Sequence, residues 1–126
     1  MTARVLDPAR LPFAFEDALN AGNVDAVLEL FSPQATMRTL GHEVLTGTEE
    51  LREEIVRTVE AKARLTNTAR LCLTGDGTAL IVVDWTLEAT TPDGTRVTPS
   101  GTTANLARRF GDGSWRFTVL NPLGTA

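Results

Sequence analysis

The sequence is poor in the residues that build several common kinds of site. It has one cysteine, so it can form neither an internal disulfide nor a cysteine-rich zinc site. Its single histidine, His42, cannot hold a metal ion alone, and no H-x-x-H spacing or facial triad occurs. G-x-S-x-G, P-loop and G-x-G-x-x-G motifs are missing too. We therefore expect a chain that works without a metal ion or a cofactor.

Basic charge and long apolar runs are also scarce. Twelve Lys and Arg stand against sixteen Asp and Glu, for a net charge of −4. That balance argues against nucleic acid as a partner, because phosphates need a basic face. The longest apolar run, "ALIVVDW", is far too short to span a bilayer, and the first ten residues have no apolar core like that of a signal peptide. The sequence predicts a cytoplasmic protein that binds neither nucleic acid nor membrane.

The 126 residues fit one domain, residues 1–126, in which residues 1–10 are expected to form a loose arm. Apolar residues at helical spacing then predict three helices. Asn23 is expected to cap the second helix, and Thr46 or Thr48 the third. The three apolar stripes are Leu11, Phe15, Ala18 and Leu19, then Val24, Val27 and Phe31, and finally Leu51, Ile55 and Val59.

From Asn67 onward the apolar period changes to two, which is typical of strands. Two short strands precede the third helix, and four longer ones follow it. The joints "GDG", "PDG" and "GDG" indicate hairpin turns, while Pro99 and Gly101 indicate a bend within one strand. We therefore expect an α+β fold: three N-terminal helices packed on a strongly curved, mixed, mainly antiparallel sheet. The sheet would form a cone with an internal cavity, whose open side the first two helices would close.

Three stretches carry a resemblance to a known family: "FEDALNAGNVDAVLELFSPQATM", "LTGTEELREEI" and "RRFGDGSWRFTVLNP". The resemblance that they carry extends over nearly the whole chain, roughly residues 11–122. They resemble the SnoaL-like and ketosteroid isomerase-like branch of the nuclear transport factor 2-like superfamily, whose domains are cone-shaped. The resemblance is fairly specific for the fold and weak for function, because this fold hosts several kinds of enzyme as well as non-catalytic association domains.

The resemblance to ketosteroid isomerases implies three catalytic positions. Phe15 stands where those enzymes have an oxyanion-donating tyrosine, and Thr39 stands where they have an aspartate base. Asn105 stands at the position of a protonated acid, and its amide can still donate a hydrogen bond to a developing oxyanion. The isomerase mechanism of the family is therefore not expected to operate unchanged.

The stretch "VVDWTLEATT" holds the carboxylates that best suit acid–base chemistry. Asp84, Thr86 and Glu88 share one strand face, and Val83, Trp85 and Leu87 share the other. The resemblance, aligned at the "PDG" turn, implies that the polar set faces the cavity. One carboxylate there would have a raised pKa and could act as an acid or base. In the alternative arrangement, the polar set meets solvent and the apolar set lines the cavity.

These residues define the predicted site. The catalytic candidates are Asp84, Asn105, Glu88 and His42, and the substrate-binding candidates are Phe15, Leu19, Thr39, Thr86 and Leu120. His42 is a natural base near neutral pH, although an exposed turn histidine is the alternative.

Two functions fit this site. The first is a cofactor-free enzyme that isomerises, cyclises or opens an epoxide on an apolar molecule of the polyketide, steroid or terpenoid kind. The second is a non-catalytic ligand-binding or association module. In both cases we expect a homodimer, because the sheet face away from the helices is expected to carry apolar side chains, from the set around Trp115 or Trp85, that are costly to leave in water.

Overall fold

A computed structural model describes residues 4–126 of the chain. A short 3-10 turn, Pro8–Arg10, precedes three helices: α1 (Leu11–Asn20), α2 (Val24–Leu28) and α3 (Thr48–Glu60). The strands are β1 (Phe31–Arg38), β2 (Val44–Thr46), β3 (Arg64–Gly75), β4 (Thr78–Thr90), β5 (Arg96–Val97), β6 (Ser100–Thr102), β7 (Asn105–Arg109) and β8 (Trp115–Leu120).

The strands form one curved sheet in the order β2-β1-β8-β7-β4-β3, with β5 and β6 paired to β4. Strands β1 and β8 run parallel, and the other pairs are antiparallel. The structure thus confirms the α+β cone with a mixed, mainly antiparallel sheet. No helix in residues 4–126 is long and apolar enough to cross a membrane.

The arm expected over residues 1–10 is attached to the fold in its described part. The backbone carbonyl of Val5 accepts the N–H of Trp115 over 2.8 Å, which extends the hydrogen bonding of the sheet. Asp7 then caps the 3-10 turn by accepting the N–H of Ala9 over 3.0 Å. Residues 1–3 lie outside the described part of the chain.

The second helix is shorter than its apolar stripe predicts. It ends at Leu28, and Phe31 begins β1 instead of closing the helical stripe. The carbonyl of Leu30 accepts the N–H of Phe117, and the ring of Phe31 packs against those of Phe15 and Phe117 with centroids 6.1 and 5.5 Å away. This pairing and aromatic packing favour the strand. The register between β1 and β8 shifts between Phe31 and Thr36, around Pro33, which has no N–H for the ladder.

The cap of the third helix was also predicted wrongly. Gly47 is the N-cap residue, with a φ of 92°, which suits glycine because it lacks a Cβ. No side chain accepts an N–H of the first helical turn, so the expected hydroxyl cap is not formed. The Glu50 side chain instead reaches back to accept the N–H of Thr46, before the helix, over 3.1 Å, and its carboxylate lies near the positive helix end.

The long strand predicted over residues 95–110 is divided into β5, β6 and β7. The breaks follow Val97 and Thr102, and Pro99 lies in the first of them. These breaks let three short strands pair in turn with the long β4, which bends the sheet toward the helices.

A row of apolar side chains crosses the outer, convex face of the sheet. Leu73, Leu80, Leu106 and Val119 stand on consecutive strands in direct cross-strand register. The neighbours of Leu80 and Leu106 along their strands are buried in the core, so the row itself points outward. Leu73 is 57% exposed and Leu106 is 39% exposed. We call these four residues the outer row.

Candidate functional site

A cavity of about 270 Å³ lies between the concave face of the sheet, α1 and α3. Helix α2 contributes no side chain to its wall, so α1 and α3 close the cone rather than the expected α1 and α2. The apolar wall consists of Pro12, Phe15, Leu19, Met37, Leu40, Ile55, Leu65, Val83, Trp85, Leu87, Phe117, Leu120 and Pro122. The polar lining consists of Arg38, Thr39, Gly41, Glu43, Glu54, Thr58, Asn67, Thr103 and Asn105.

Strand β4 turns its apolar face to the cavity. Val83 and Trp85 are buried, and Leu87 lines the wall with them. Asp84, Thr86 and Glu88 therefore lie on the opposite face, away from the cavity, and the expectation that this set faces inward is wrong. Burying three large apolar side chains against the helices outweighs anything gained by burying two carboxylates, whose desolvation is costly.

Asp84 makes surface contacts instead of cavity contacts. It accepts hydrogen bonds from the Thr102 hydroxyl over 2.6 Å and from Arg70 over 3.3 Å. The pKa of the Asp84 carboxyl is below its ordinary value, chiefly because the Thr102 hydroxyl donates to it. Desolvation raises this pKa by less than the Thr102 hydrogen bond lowers it, and Arg70 lowers it further. The raised pKa expected of a cavity-facing Asp84 is thus also wrong. Glu88, on the same face, lies 3.7 Å from Arg96.

Asn105 is the deepest polar side chain in the cavity wall, at 2% exposure. Its Oδ1 accepts the backbone N–H of Asn121 over 2.8 Å. Since that partner is a donor, the orientation of the amide is determined, and Nδ2 remains the donating end. Nδ2 has no hydrogen-bond partner among residues 4–126 and is available to an acceptor in the cavity.

Trp85 is held by two features of neighbouring segments. Its Nε1 donates to the carbonyl of Pro122 over 2.7 Å. Gly101 stands directly opposite on β6, and a Cβ added there would lie 3.0 Å from Cζ2 of the indole. Glycine at this position therefore lets the indole lie flat against β6, and both the ring and Pro122 form part of the cavity wall.

Four predicted binding residues lie on the cavity wall: Phe15, Leu19, Thr39 and Leu120. Thr39 is buried, and its hydroxyl accepts the N–H of Glu43 over 3.1 Å, which shapes the loop at the mouth. Leu120 faces inward three residues after the buried Phe117 because the register of β8 against β7 shifts between them.

The three positions implied by the isomerase resemblance share one cavity: Phe15, Thr39 and Asn105. None of these side chains is titratable near neutral pH.

His42 lies beside the cavity and not in its wall. It is exposed, with a φ of 70°, in the loop between β1 and β2. Its Nδ1 is 2.9 Å from Nη2 of Arg38, which is half-buried and does line the cavity. Because Arg38 can only donate, Nδ1 accepts and the ring proton of a neutral His42 is on Nε2.

Sequence reasoning missed the two carboxylates that do line the cavity, Glu43 and Glu54. Glu43 is exposed in the loop at the mouth. Glu54 is on α3, its side chain is 26% exposed, and it forms an ion pair of 2.8 Å with Arg57. A signal for Glu54 was present, because it shares the i, i+3, i+4 and i+7 face of α3 with Leu51, Ile55 and Thr58.

Comparison with known families now identifies the domain. The family model of the SnoaL-like domain matches residues 14–119, so the chain belongs to this family. That result confirms the resemblance drawn from the sequence. No protein of curated function matches the chain.

Solved structures share the fold at low sequence identity. A ketosteroid isomerase-like protein from Erwinia carotovora atroseptica is 18% identical, with 87% of each chain covered and a TM-score of 0.76. An NTF-2 like protein of unknown function from Shewanella oneidensis MR-1 is 20% identical, with 88% of this chain and 91% of that chain covered and a TM-score of 0.71. A candidate calcium/calmodulin dependent protein kinase II association domain from Xanthomonas campestris is 21% identical, with 93% and 84% covered and a TM-score of 0.74. These likenesses establish the cone fold and leave its activity open.

Proposed function

We propose that this SnoaL-like domain binds a small, mainly apolar molecule in the cavity and orients it through one oxygen atom at Asn105. The observation that carries the proposal is the buried amide of Asn105, whose Nδ2 has no partner among residues 4–126, in a wall that is otherwise largely apolar. No sealed side-chain nitrogen or oxygen of residues 4–126 lacks a partner, so this Nδ2 is open to the cavity, where a ligand carbonyl or hydroxyl oxygen can accept its hydrogen bond.

The size of the cavity limits the molecule. Its volume of about 270 Å³ lies just below the roughly 300–1,000 Å³ typical of pockets for drug-sized ligands. A molecule with one or two rings therefore fits this open-mouthed cavity better than a complete four-ring skeleton. Within the polyketide, steroid and terpenoid classes, this favours small terpenoid or aromatic members.

The binding proposal is tested with two probes of the same shape. β-Tetralone carries a ketone oxygen, and tetralin lacks it. Tryptophan fluorescence should report both, because Trp85 forms part of the wall. We expect β-tetralone to bind more tightly than tetralin, and Asn105→Leu to abolish the difference between the two probes. Failure of both probes to bind would remove the proposal.

Cofactor-free acid–base turnover is a second candidate, and the carboxylates at the cavity favour it. Glu54 and Glu43 line the cavity and could move a proton, with Asn105 stabilising a developing oxyanion. His42, the predicted base beside the mouth, could accept a proton only after its Nδ1 releases Arg38. Asp84 and Glu88 have no part in this candidate, since their side chains are on the other face of the sheet. Isomerisation of β,γ-unsaturated ketones and opening of strained epoxides are the reactions to screen, and turnover that survives Glu54→Gln, Glu43→Gln and His42→Gln would exclude these bases.

We also propose a homodimer formed through the outer row. The sets around Trp85 and Trp115, predicted as its surface, cannot form it, because both indoles are buried within the protomer. Four apolar side chains aligned across neighbouring strands make a continuous surface that favours burial against a like surface. An association role without catalysis would use the same surface, and it would leave the probe-binding result above unchanged.

A further inference from the structure

Asn67 brings a second amide to the cavity, from the other side of β4. It stands on β3 in direct register with Trp85, and Leu65, two residues earlier on the same strand face, is in register with Leu87. All four of these residues line the cavity. The alternation of β3 therefore directs the Asn67 side chain inward.

Hydrogen bonds to α1 fix the orientation of the Asn67 amide. Its Nδ2 donates to the backbone carbonyl of Pro12 over 2.9 Å, and its backbone N–H donates to Oε1 of Glu16 over 2.6 Å. A carbonyl can only accept, so the nitrogen end of the amide is assigned and Oδ1 is the other end. No group of residues 4–126 donates to Oδ1, and no sealed side-chain oxygen in these residues lacks a partner. Because Asn67 lines the cavity, Oδ1 is open to a hydrogen-bond donor there.

The two amides of the cavity thus have opposite hydrogen-bonding roles. Asn105 offers Nδ2, which can only donate, and Asn67 offers Oδ1, which can only accept. A ketone oxygen can bind at Asn105 but not at Asn67. A hydroxyl group can donate its proton to Asn67.

An apolar stretch of β4 separates the two amides. Asn105 is in register with Ile81, and Asn67 is in register with Trp85, four residues further along the strand. At the usual rise of a strand, four residues correspond to about 13 Å. Val83 and Trp85 line the cavity over this stretch. Hydrogen bonds of about 2.9 Å at both ends take up part of that length, so a molecule with one or two rings can contact both amides through polar groups at its opposite ends.

We infer that the ligand is a small hydroxyketone: its carbonyl oxygen accepts a hydrogen bond from Asn105, and a hydroxyl at its far end donates to Asn67. This inference rests on the proposed function, which places a ligand oxygen at Asn105, and it adds the second polar group and the direction of the ligand in the cavity. The reverse direction would place the ketone oxygen against the Asn67 oxygen, so two acceptors would meet without a hydrogen bond. Asn67 binds and orients the ligand, and no covalent step is required.

Two isomers of a hydroxylated β-tetralone test the inference on the wild-type protein by calorimetry. 6-Hydroxy-2-tetralone carries its hydroxyl at the end of the ring system far from the ketone, and 8-hydroxy-2-tetralone carries it close to the ketone. The two isomers have the same polar groups to desolvate, so their difference in affinity reports where the hydroxyl meets the protein. We expect the 6-hydroxy isomer to bind about 2- to 10-fold more tightly, which is the effect of one neutral hydrogen bond. Equal affinity, or a preference for the 8-hydroxy isomer, would overturn the inference.

Variants then assign the preference to Asn67. Asn67→Leu should remove it, because leucine has a similar size and no acceptor. Asn20→Leu is the matched control: the Asn20 amide also joins α1 to β3, through the backbone of Leu65 over 2.9 and 2.7 Å, and it does not line the cavity. The control should keep the preference. A preference that persists in Asn67→Leu, or that is lost equally in Asn20→Leu, would refute the inference.

Asn67→Asp provides a second test if the leucine variant does not fold. Aspartate retains an acceptor oxygen at this position, and a charged acceptor strengthens the hydrogen bond from a hydroxyl. The 6-hydroxy isomer should therefore keep or increase its advantage over the 8-hydroxy isomer. Loss of that advantage in Asn67→Asp would overturn the inference.

The two proposals fail in different ways. If β-tetralone and both hydroxylated isomers fail to bind, the proposed function is wrong. If β-tetralone binds more tightly than tetralin and the two isomers bind equally, the oxygen site at Asn105 stands and the hydroxyl site at Asn67 is excluded.

Discussion

The side-chain carbonyl of Asn105 accepts the backbone N–H of Asn121 over 2.8 Å and thereby joins the start of β7 to the segment that follows β8. The backbone carbonyl of Asn121 accepts the N–H of Ala104 over 2.9 Å in return. These bonds hold the C-terminal segment against the cavity, where Pro122 receives the Trp85 indole. The same amide thus closes the cavity wall and presents its donor to a ligand.

Replacing Asn105 by leucine should cost stability as well as oxygen recognition. The substitution leaves the N–H of Asn121 without its acceptor, which typically costs about 1–3 kcal/mol at a buried site. Urea unfolding would measure the loss. Thr118→Val is the control, because its exposed hydroxyl donates to Leu106 over 3.3 Å and should matter by less than about 0.5 kcal/mol. An Asn105→Leu protein as stable as the wild type would show that the bond to Asn121 contributes little.

Replacing Gly101 by alanine should disturb the Trp85 wall. The new Cβ would lie 3.0 Å from the indole, so the ring or β6 must shift. Such overpacking costs about 1–3 kcal/mol, and tryptophan emission should change with it. Gly75→Ala is the matched control, since a Cβ there meets nothing within 4 Å. Equal stability of the two variants would mean that the ring moves aside without cost.

Asp84→Asn should lower stability slightly at neutral pH and leave ligand binding unchanged. The folded-state pKa of Asp84 is below its ordinary value of 3.8, chiefly because of the Thr102 hydroxyl. A lowered folded-state pKa stabilises the protein above pH 3.8, and this stabilisation is lost as pH falls through the folded-state value. The effect should be small, because the carboxylate is exposed.

A pH series of melting temperatures tests the Asp84 prediction. The wild-type advantage over Asp84→Asn should vanish in acid, and Thr102→Val should show a similar loss of pH dependence. A variant that is more stable than the wild type at pH 7 would contradict the expected sign. Loss of probe binding in Asp84→Asn would contradict the placement of Asp84 outside the cavity.

Leu73→Glu should convert a dimer into a monomer. Leu73 is at one end of the outer row and is 57% exposed, so a charge there should disrupt the interface without damaging the core. Val44→Glu is the control, because Val44 is 66% exposed on β2 and is not part of the row. Sedimentation of both variants at micromolar concentration is the measurement. A wild-type monomer under these conditions would exclude the dimer.

The sequence by itself determined the order and type of most elements. Helical periodicity gives way to strand periodicity near Asn67, and "GDG" and "PDG" mark hairpin turns, because these signals depend on local backbone preferences. It also identified Phe15 and Leu19 on the first helix, and Asn105 on a late strand, as residues of one site. Local signals mislead where distant partners compete: Phe31 follows a helical stripe, yet it joins β1 because β8 and the aromatic rings hold it there.

Only the tertiary structure decided which face of β4 is inside. The alternating pattern places Asp84 and Glu88 on one face of β4 and Val83, Trp85 and Leu87 on the other. The pattern alone does not say which of the two faces meets the helices. The side that meets α1 and α3 depends on contacts between residues far apart in the chain, and burial there favours the apolar set. The same long-range packing brings Arg38 and Glu54, on β1 and α3, to one cavity, and no spacing within either element could have indicated that meeting.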